Sequence, residues 1–305
     1  MHFGRLDAID GLSLCLYPDA KRTEKFLALV REGQLSGQSG ETEILIGCPI
    51  WASRNWTSRL YPRGTKPIDF LKIYSSRFRT VEVNSTFYQL LDQTRIALWR
   101  DQATPGFRFC PKVFRGITED LASRQLPSLI QTFCHSILAF GDKLGLAFAQ
   151  FPETFGPTQQ PLLKNFLSCW PIEIPLAIEL RHPDWFHDHA LLDETVNLLY
   201  RHRAATVITD TPGRRDVLHF SLTQPKVLIR FQGNSGHPTD AERITEWAER
   251  MRKWREASLK EIYFFAHQPE DETIPETAFL ALKKILGEST PDISRGPDQL
   301  EIAGI

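Results

Sequence analysis

Thr80-Val-Glu-Val-Asn-Ser-Thr-Phe-Tyr88 is a short β-rich run that breaks off into small polar residues. Successive side chains of a strand point to opposite faces, so Val81 and Val83 share one face while Glu82 and Asn84 share the other. A carboxylate at the end of an otherwise apolar strand needs either a partner or a job, because burying it alone is costly.

The same grammar recurs on both sides of this run. Strands are predicted over Glu43–Cys48, Thr80–Asn84, Arg108–Lys112, Leu144–Gln150, Leu176–Leu180, Ala205–Asp210, Lys226–Phe231 and Glu261–Ala266. Helices are predicted between and after them over Pro67–Phe78, Gln93–Gln102, Pro127–Phe140, Gln160–Ser168, His189–His202, Thr239–Glu256 and Ile274–Leu286, with Thr239 or Asp240 as a natural N-cap. Strands alternating with amphipathic helices read as βα units on a parallel sheet, and eight rounds predict a single (β/α)8 TIM-type barrel. The sixth round is irregular: Thr211-Pro-Gly-Arg-Arg-Asp-Val-Leu-His-Phe220 reads as a loop where a helix is due.

The barrel is assigned to residues 43–287, preceded by an extension and linker over 1–42 and followed by a tail over 288–305. The extension holds one helix-compatible piece near Glu24–Glu32, then a Gly/Ser/Gln run from Gly33 to Thr42 that suits a linker. At 305 residues, 42% hydrophobic and 24% charged, the chain has an ordinary globular composition and the length one barrel with extensions needs. A net charge of -1 gives no overall basic field for a nucleic-acid backbone. Cys15, Cys48, Cys110, Cys134 and Cys169 are scattered without a C-x-x-C pair, and neither a secretory leader nor a membrane span is legible. A cytoplasmic protein with reduced thiols is the expectation.

Polar residues gather at the carboxyl ends of the strands, where barrel enzymes build their sites. They are Glu82 and Asn84, then Lys112, Gln150, Glu179 with Arg181, Asp210, Arg230 with Gln232, and His267. The first βα loop adds Trp51, Trp56 and Tyr61 beside Arg54 and Arg59, which suit a sugar, base or phosphorylated ligand or else plug the barrel mouth. The run from Glu179 to His189 is rich in metal-ligand types, including His182, Asp184, His187 and Asp188, yet Asp188 also fits an N-cap. No H-E-x-x-H, phosphate-binding glycine loop or G-x-S-x-G elbow occurs.

Several ordered blocks resemble one family. Ile46-Gly-Cys-Pro-Ile-Trp51, the Thr80–Tyr88 run, Phe107-Arg-Phe-Cys-Pro-Lys112, Gly141-Asp-Lys-Leu-Gly145, Gln150-Phe-Pro152 and Glu179-Leu-Arg-His-Pro-Asp-Trp185 are similar to the domain-of-unknown-function 72 (YecE-like) family. The resemblance runs from about Glu43 to Leu286. It implies a TIM-type barrel whose activity is not established, and its motif words fall on Trp51, Glu82, Asn84, Tyr88, Lys112, Glu179, Arg181, His182, Trp185, Asp210 and Arg230. Cys48-Pro49-Ile50 departs from the family's usual first block, and His267-Gln268 stands where many members carry an Asn pair.

The leading expectation is an enzyme that acts on a small polar, sugar- or phosphate-like molecule by acid/base chemistry. Glu82, Lys112, Glu179, His182 and Asp210 are its candidate catalytic residues. Trp51, Asn84, Tyr88, Gln150, Arg181, Trp185, Arg230 and His267 are its candidate substrate contacts. In this scheme one carboxylate of the Glu82–Glu179 pair carries a raised pKa and serves as the acid. No cofactor and no definite metal ligand are assigned. A rival is a divalent-metal isomerase or phosphoesterase using Glu82, Glu179, His182 and Asp210, and another is a non-catalytic ligand- or nucleic-acid-binding module. The oligomeric state is left open.

Overall fold

In the computed structural model, which describes residues 3–6, 9, 14–16, 21–34 and 41–287, eight parallel strands form a barrel. They are β1 (Glu43–Cys48), β2 (Thr80–Val83), β3 (Arg108–Pro111), β4 (Ala147–Gln150), β5 (Leu176–Glu179), β6 (Ala204–Asp210), β7 (Lys226–Gln232) and β8 (Glu261–His267). The ladder runs β3-β2-β1-β8-β7-β6-β5-β4. The seam between β3 and β4 is joined by isolated bridges at Phe109–Leu144 and Lys112–Phe148.

Helices pack outside: α1 (Lys21–Arg31), α2 (Phe70–Arg77), α3 (Gln93–Gln102), α4 (Leu126–Ile137), α5 (Gln160–Cys169), α6 (His189–Arg201), α7 (Pro238–Glu256) and α8 (Ile274–Ala281). Asp188 caps α6 through Ala190 N–H and Leu191 N–H, as its position suggests. The start of α7 differs from expectation. His237 is its N-cap, and Asp240 turns away to accept from the amide N–H of Asn234 and the side chain of Gln268. Among the described residues, no helix is long and apolar enough to cross a membrane.

The sixth crossover holds only a single 3-10 turn, Arg215–Val217, and the N-terminal helix makes up the difference. On α1, Phe26, Leu27 and Val30 belong to the main hydrophobic core. Thr23 donates to the carbonyl of Phe220 in the crossover at 2.8 Å, Arg22 pairs with Asp193 of α6, and the N–H of Leu16 donates to Glu246 of α7. The segment that reads as a lead-in to the barrel therefore supplies a helix to its wall, between α6 and α7. Residues 35–40 of the Gly/Ser/Gln run and the tail over 288–305 lie outside the described residues.

The barrel interior is sorted by height. Leu45, Cys110, Leu146, Phe148, Ala177, Ala205, Val207, Leu228, Tyr263 and Phe265 form an inner apolar cluster. Two residues further along several of these strands, on the same face, stand Lys112, Gln150, Glu179, Thr209, Arg230 and His267, joined by Glu82 two residues after Thr80. The alternation of the strand thus lifts a polar layer onto an apolar floor.

If α1 is part of the wall, Leu27→Ala costs about 2–3 kcal/mol of stability, as for other buried leucine truncations. Urea denaturation checks this, and a loss within about 0.5 kcal/mol is the surface-like result that contradicts it.

Candidate functional site

Arg230 stands at the centre of the polar layer. Its Nε and Nη2 donate to the two carboxylate oxygens of Glu82 at 2.7 and 3.0 Å, and its Nη1 donates to Glu179 at 3.0 Å. All three side chains are almost fully buried. Arg181 Nε donates to the other oxygen of Glu179 at 2.6 Å, which also accepts from Thr209 at 3.0 Å. Asn84 donates to Glu82 at 3.1 Å and to the carbonyl of Pro49 at 2.8 Å. The Nε2 of His267 lies 3.1 Å from Glu82, and since Glu82 is ionised the proton of this bond sits on the imidazole.

Charge governs the titration of these groups. Burial alone raises Glu82, but Arg230 and His267 outweigh it and hold the carboxyl well below its usual range. Glu179 is likewise pushed up by burial and drawn down by Arg181 and Arg230, to about 2. His267 is lowered by burial against the pull of Glu82 and is therefore neutral at pH 7. The expectation that one carboxylate of the pair has a raised pKa does not hold in this arrangement, because each shares the same guanidinium.

Lys112 is different. Its ammonium donates to the neutral amide oxygen of Gln150 at 2.9 Å and lies 4.0 Å from the centroid of the Phe87 ring, while Gln150 donates onward to Glu179 at 2.8 Å. Burial and Arg230 together lower its pKa to about 8 despite Glu179 and Glu82 nearby. Two carboxylates face two guanidiniums in this layer, so a protonated Lys112 leaves one positive charge in excess.

The structure brings together Glu82, Asn84, Lys112, Gln150, Glu179, Arg181, Arg230 and His267. Asp210 it sends elsewhere. In β6 the inward members are Ala205, Val207 and Thr209, so Asp210 faces out, where it pairs with Arg215 and Arg243 and accepts from the indole of Trp247 at 2.7 Å. His182 sits beside Gly156, and its Nδ1 accepts from the amide N–H of Asp184 at 3.2 Å. Trp185 is buried and donates to the carbonyl of Phe155 at 2.7 Å. Trp51 meets the rings of Trp99 and Phe109 edge-on, and Tyr88 is largely exposed beside Phe87. The first loop packs into the wall: Trp56 and Tyr61 are wholly buried and stack on Tyr74 and Phe70 of α2, and Arg59 pairs with Glu276 of α8.

Two contributors escaped the sequence-based selection. Thr209 was masked by its acidic neighbour, and strand parity is the signal that finds it. Phe87 lies inside the Thr80–Tyr88 run, and its role is visible only once Lys112 is placed. Gln232, which the sequence places at the rim in phase with Arg230, is buried, and its Oε1 has no hydrogen-bond partner. Among the described residues no three His, Cys, Asp or Glu side chains gather as a metal-binding group. The set Glu82, Glu179, His182 and Asp210 is accordingly not assembled.

Comparison with known proteins gives concordant results. A family model described as "Protein of unknown function DUF72" matches residues 45–300. The chain is similar to UPF0759 protein YecE of Escherichia coli K12, 29% identical over 273 residues, covering 83% of this chain and 96% of that protein. UPF0759 protein YunF of Bacillus subtilis 168 is 23% identical over 203 residues, covering 63% and 71% of the two chains. Two crystal structures of a DUF72 family protein from Enterococcus faecalis V583 match with TM-scores of 0.65 and 0.66 at 23% and 21% identity. Each is covered in full by 83% and 85% of this chain, respectively.

Removing the shared cation leaves Glu82 buried without a guanidinium and Glu179 with Arg181 alone, so Arg230→Met costs about 3–5 kcal/mol at pH 7 in denaturant unfolding. The wild-type contribution of Glu179 is present above its unfolded pKa and is lost as the pH falls from about 4.5 towards 2. Arg230→Met therefore also flattens the acid limb of stability against pH, and an unchanged limb contradicts the assignment.

Proposed function

Since this chain belongs to the DUF72 family, whose description states no activity, its function has to be sought in the site itself, and we propose that the barrel rim binds a small anionic, polar molecule and exchanges a proton with it through Lys112. One observation carries the reading: a buried lysine at the carboxyl end of β3 meets a neutral amide and a ring face where two carboxylates lie within the same layer. A general base works best with a pKa near the working pH, and a value of about 8 leaves part of the population as free amine at pH 7.

In this reading the carboxylates have a different task. Glu82 and Glu179, both ionised, fix Arg230 and Arg181, and the fixed charges stabilise negative charge that develops on the substrate. His267, neutral and oriented by Glu82, offers a hydrogen-bonding group at the same height. The excess positive charge of protonated Lys112 favours an anionic ligand, and the mouth position matches the usual site of barrel chemistry. Gln150 links Lys112 to Glu179 and keeps the ammonium from collapsing onto the carboxylate.

Holding a lysine in this setting costs stability. Its folded pKa lies below the unfolded one, so the unfolded chain binds more protons between about pH 8 and 10.5 and stability rises with pH through that window. Lys112→Met should therefore stabilise the protein at pH 7 by about 2 kcal/mol and abolish that rise, read from urea unfolding at pH 7 and 10. Equal or lower stability of the variant contradicts a strained lysine.

The direct test is a thermal-shift screen of small phosphorylated and carboxylated sugars and hydroxy acids on the wild-type and Lys112→Met proteins. The reading predicts a ligand that loses at least about tenfold in affinity in the variant, equivalent to about 1.4 kcal/mol, and whose turnover rises through pH 8. Ligands bound equally by both proteins, with no lysine-dependent turnover, would refute it.

A further inference from the structure

The first described residues of the chain lie across the mouth of the barrel. The ring of Phe3 is buried between two guanidiniums, with Arg181 Cζ 4.1 Å and Arg214 Cζ 4.7 Å from its centroid. Both cations are held by their edges. Arg181 is fixed by Glu179, while Arg214 is fixed by Asp216, Glu153 and the carbonyl of Arg181. Each guanidinium thus lies within cation–π range of the Phe3 ring.

The backbone behind the ring is also fitted. Thr211 Oγ1 donates to the carbonyls of Gly4 and Phe3 at 2.9 and 3.3 Å, and Gly213 N–H donates to Gly4 at 2.9 Å. Two glycines make this approach possible. Gly4 has φ +68, and a Cβ there would stand 2.5 Å from the Thr211 side chain; a Cβ on Gly213 would stand 2.8 Å from the Gly4 carbonyl oxygen. Arg5 reaches on towards Glu270 beyond β8, at 3.6 Å. Residues 3–6 thus span from the end of β5, over the β6 loop, to the far side of the mouth.

This segment lies outside residues 45–300, the stretch that the family model matches. Its contacts include Arg181, which ties the mouth to the charged layer by holding Glu179 and meeting the ring of Phe3.

We propose that residues 3–6 form an intramolecular latch over the candidate site, held by Phe3 in the Arg181–Arg214 clamp, and that an anionic ligand reaches Arg181 only when the latch lifts. The consequence for ligands rests on the rim being the binding site; the latch itself does not. Binding and release are then coupled to a segment held by one ring, a few hydrogen bonds and the Arg5–Glu270 pair, which gives the protein a switch that a ligand or a partner can displace.

The test needs no ligand. The full-length wild-type protein, Phe3→Ala and Gly4→Val are treated with phenylglyoxal, and modification of each arginine is followed by peptide mass spectrometry. The latch predicts that Arg181 reacts at least about fivefold faster in both variants, whereas exposed Arg115 and buried Arg243 keep their wild-type rates. An unchanged Arg181 rate in both variants overturns the latch. If Arg243 also accelerates, the variant has lost its fold, and Phe3→Leu, which keeps the apolar bulk and removes the ring face, decides by the same criterion. Because no substrate is involved, failure of the Lys112 reading leaves this result intact, and failure of the latch leaves that reading intact.

Discussion

A single guanidinium, Arg230, sets the terms for everything at the carboxyl end of this barrel. It is fully buried and joins Glu82 of β2 to Glu179 of β5 from its own position on β7, three strands far apart in the chain. Below it the interior is apolar, with the Phe148 ring 5.4 Å away, so the charges are shielded from water on that side. In such a setting an unpaired charge is far more costly than in solvent, so both carboxylates stay ionised beside the permanently charged guanidinium. The carboxylates are consequently committed to the cation and cannot release or take up a proton near neutral pH. What remains free to do so is Lys112, one step along the network through Gln150.

A buried ion cluster is a poor way to gain stability, because desolvation offsets most of the Coulomb attraction. A barrel that needed only a filled interior could place leucine and phenylalanine at this height, as it does one layer below. The second ionic cluster shows the contrasting, structural use. Asp210 faces outward and ties β6 to Arg243 and Trp247 of α7 and to Arg215 in the crossover, whose guanidinium also donates to the carbonyls of Leu14 and Cys15. That network fastens the helical wall and the N-terminal segment; the Arg230 network faces the mouth.

The two clusters also explain how much could be read from the residues. Alternation placed Glu82, Lys112, Glu179 and Arg230 on one face correctly, because Val81, Val83, Cys110, Ala177 and Leu228 mark the phase of their strands. In Ala-Ala-Thr-Val-Ile-Thr-Asp210 every neighbour tolerates either face, so the residues do not mark the phase, and it is Thr209 rather than the terminal Asp210 that faces inward. Trp185 and Tyr88 sit in conspicuous motif words, yet one anchors a loop by its indole N–H and the other stands in solvent. Pattern alone could not separate contact residues from framing residues. The missing sixth helix was legible as a gap, but its replacement by α1 was not, since nothing local in Lys21–Arg31 says which helices it will lie between. The latch was equally hidden, because it depends on two arginine faces and two facing glycines that only the fold brings together.

The account turns on Lys112 being the exchangeable proton of a layer whose other charges are fixed. Competitive acetylation of the native protein across pH 6 to 11, with the modified lysine resolved by mass spectrometry, measures that amine directly. The account predicts half-maximal reactivity of Lys112 at about pH 8, well below the exposed lysines of the same sample. A Lys112 that titrates with them, near the ordinary lysine value of about 10.4, would contradict it.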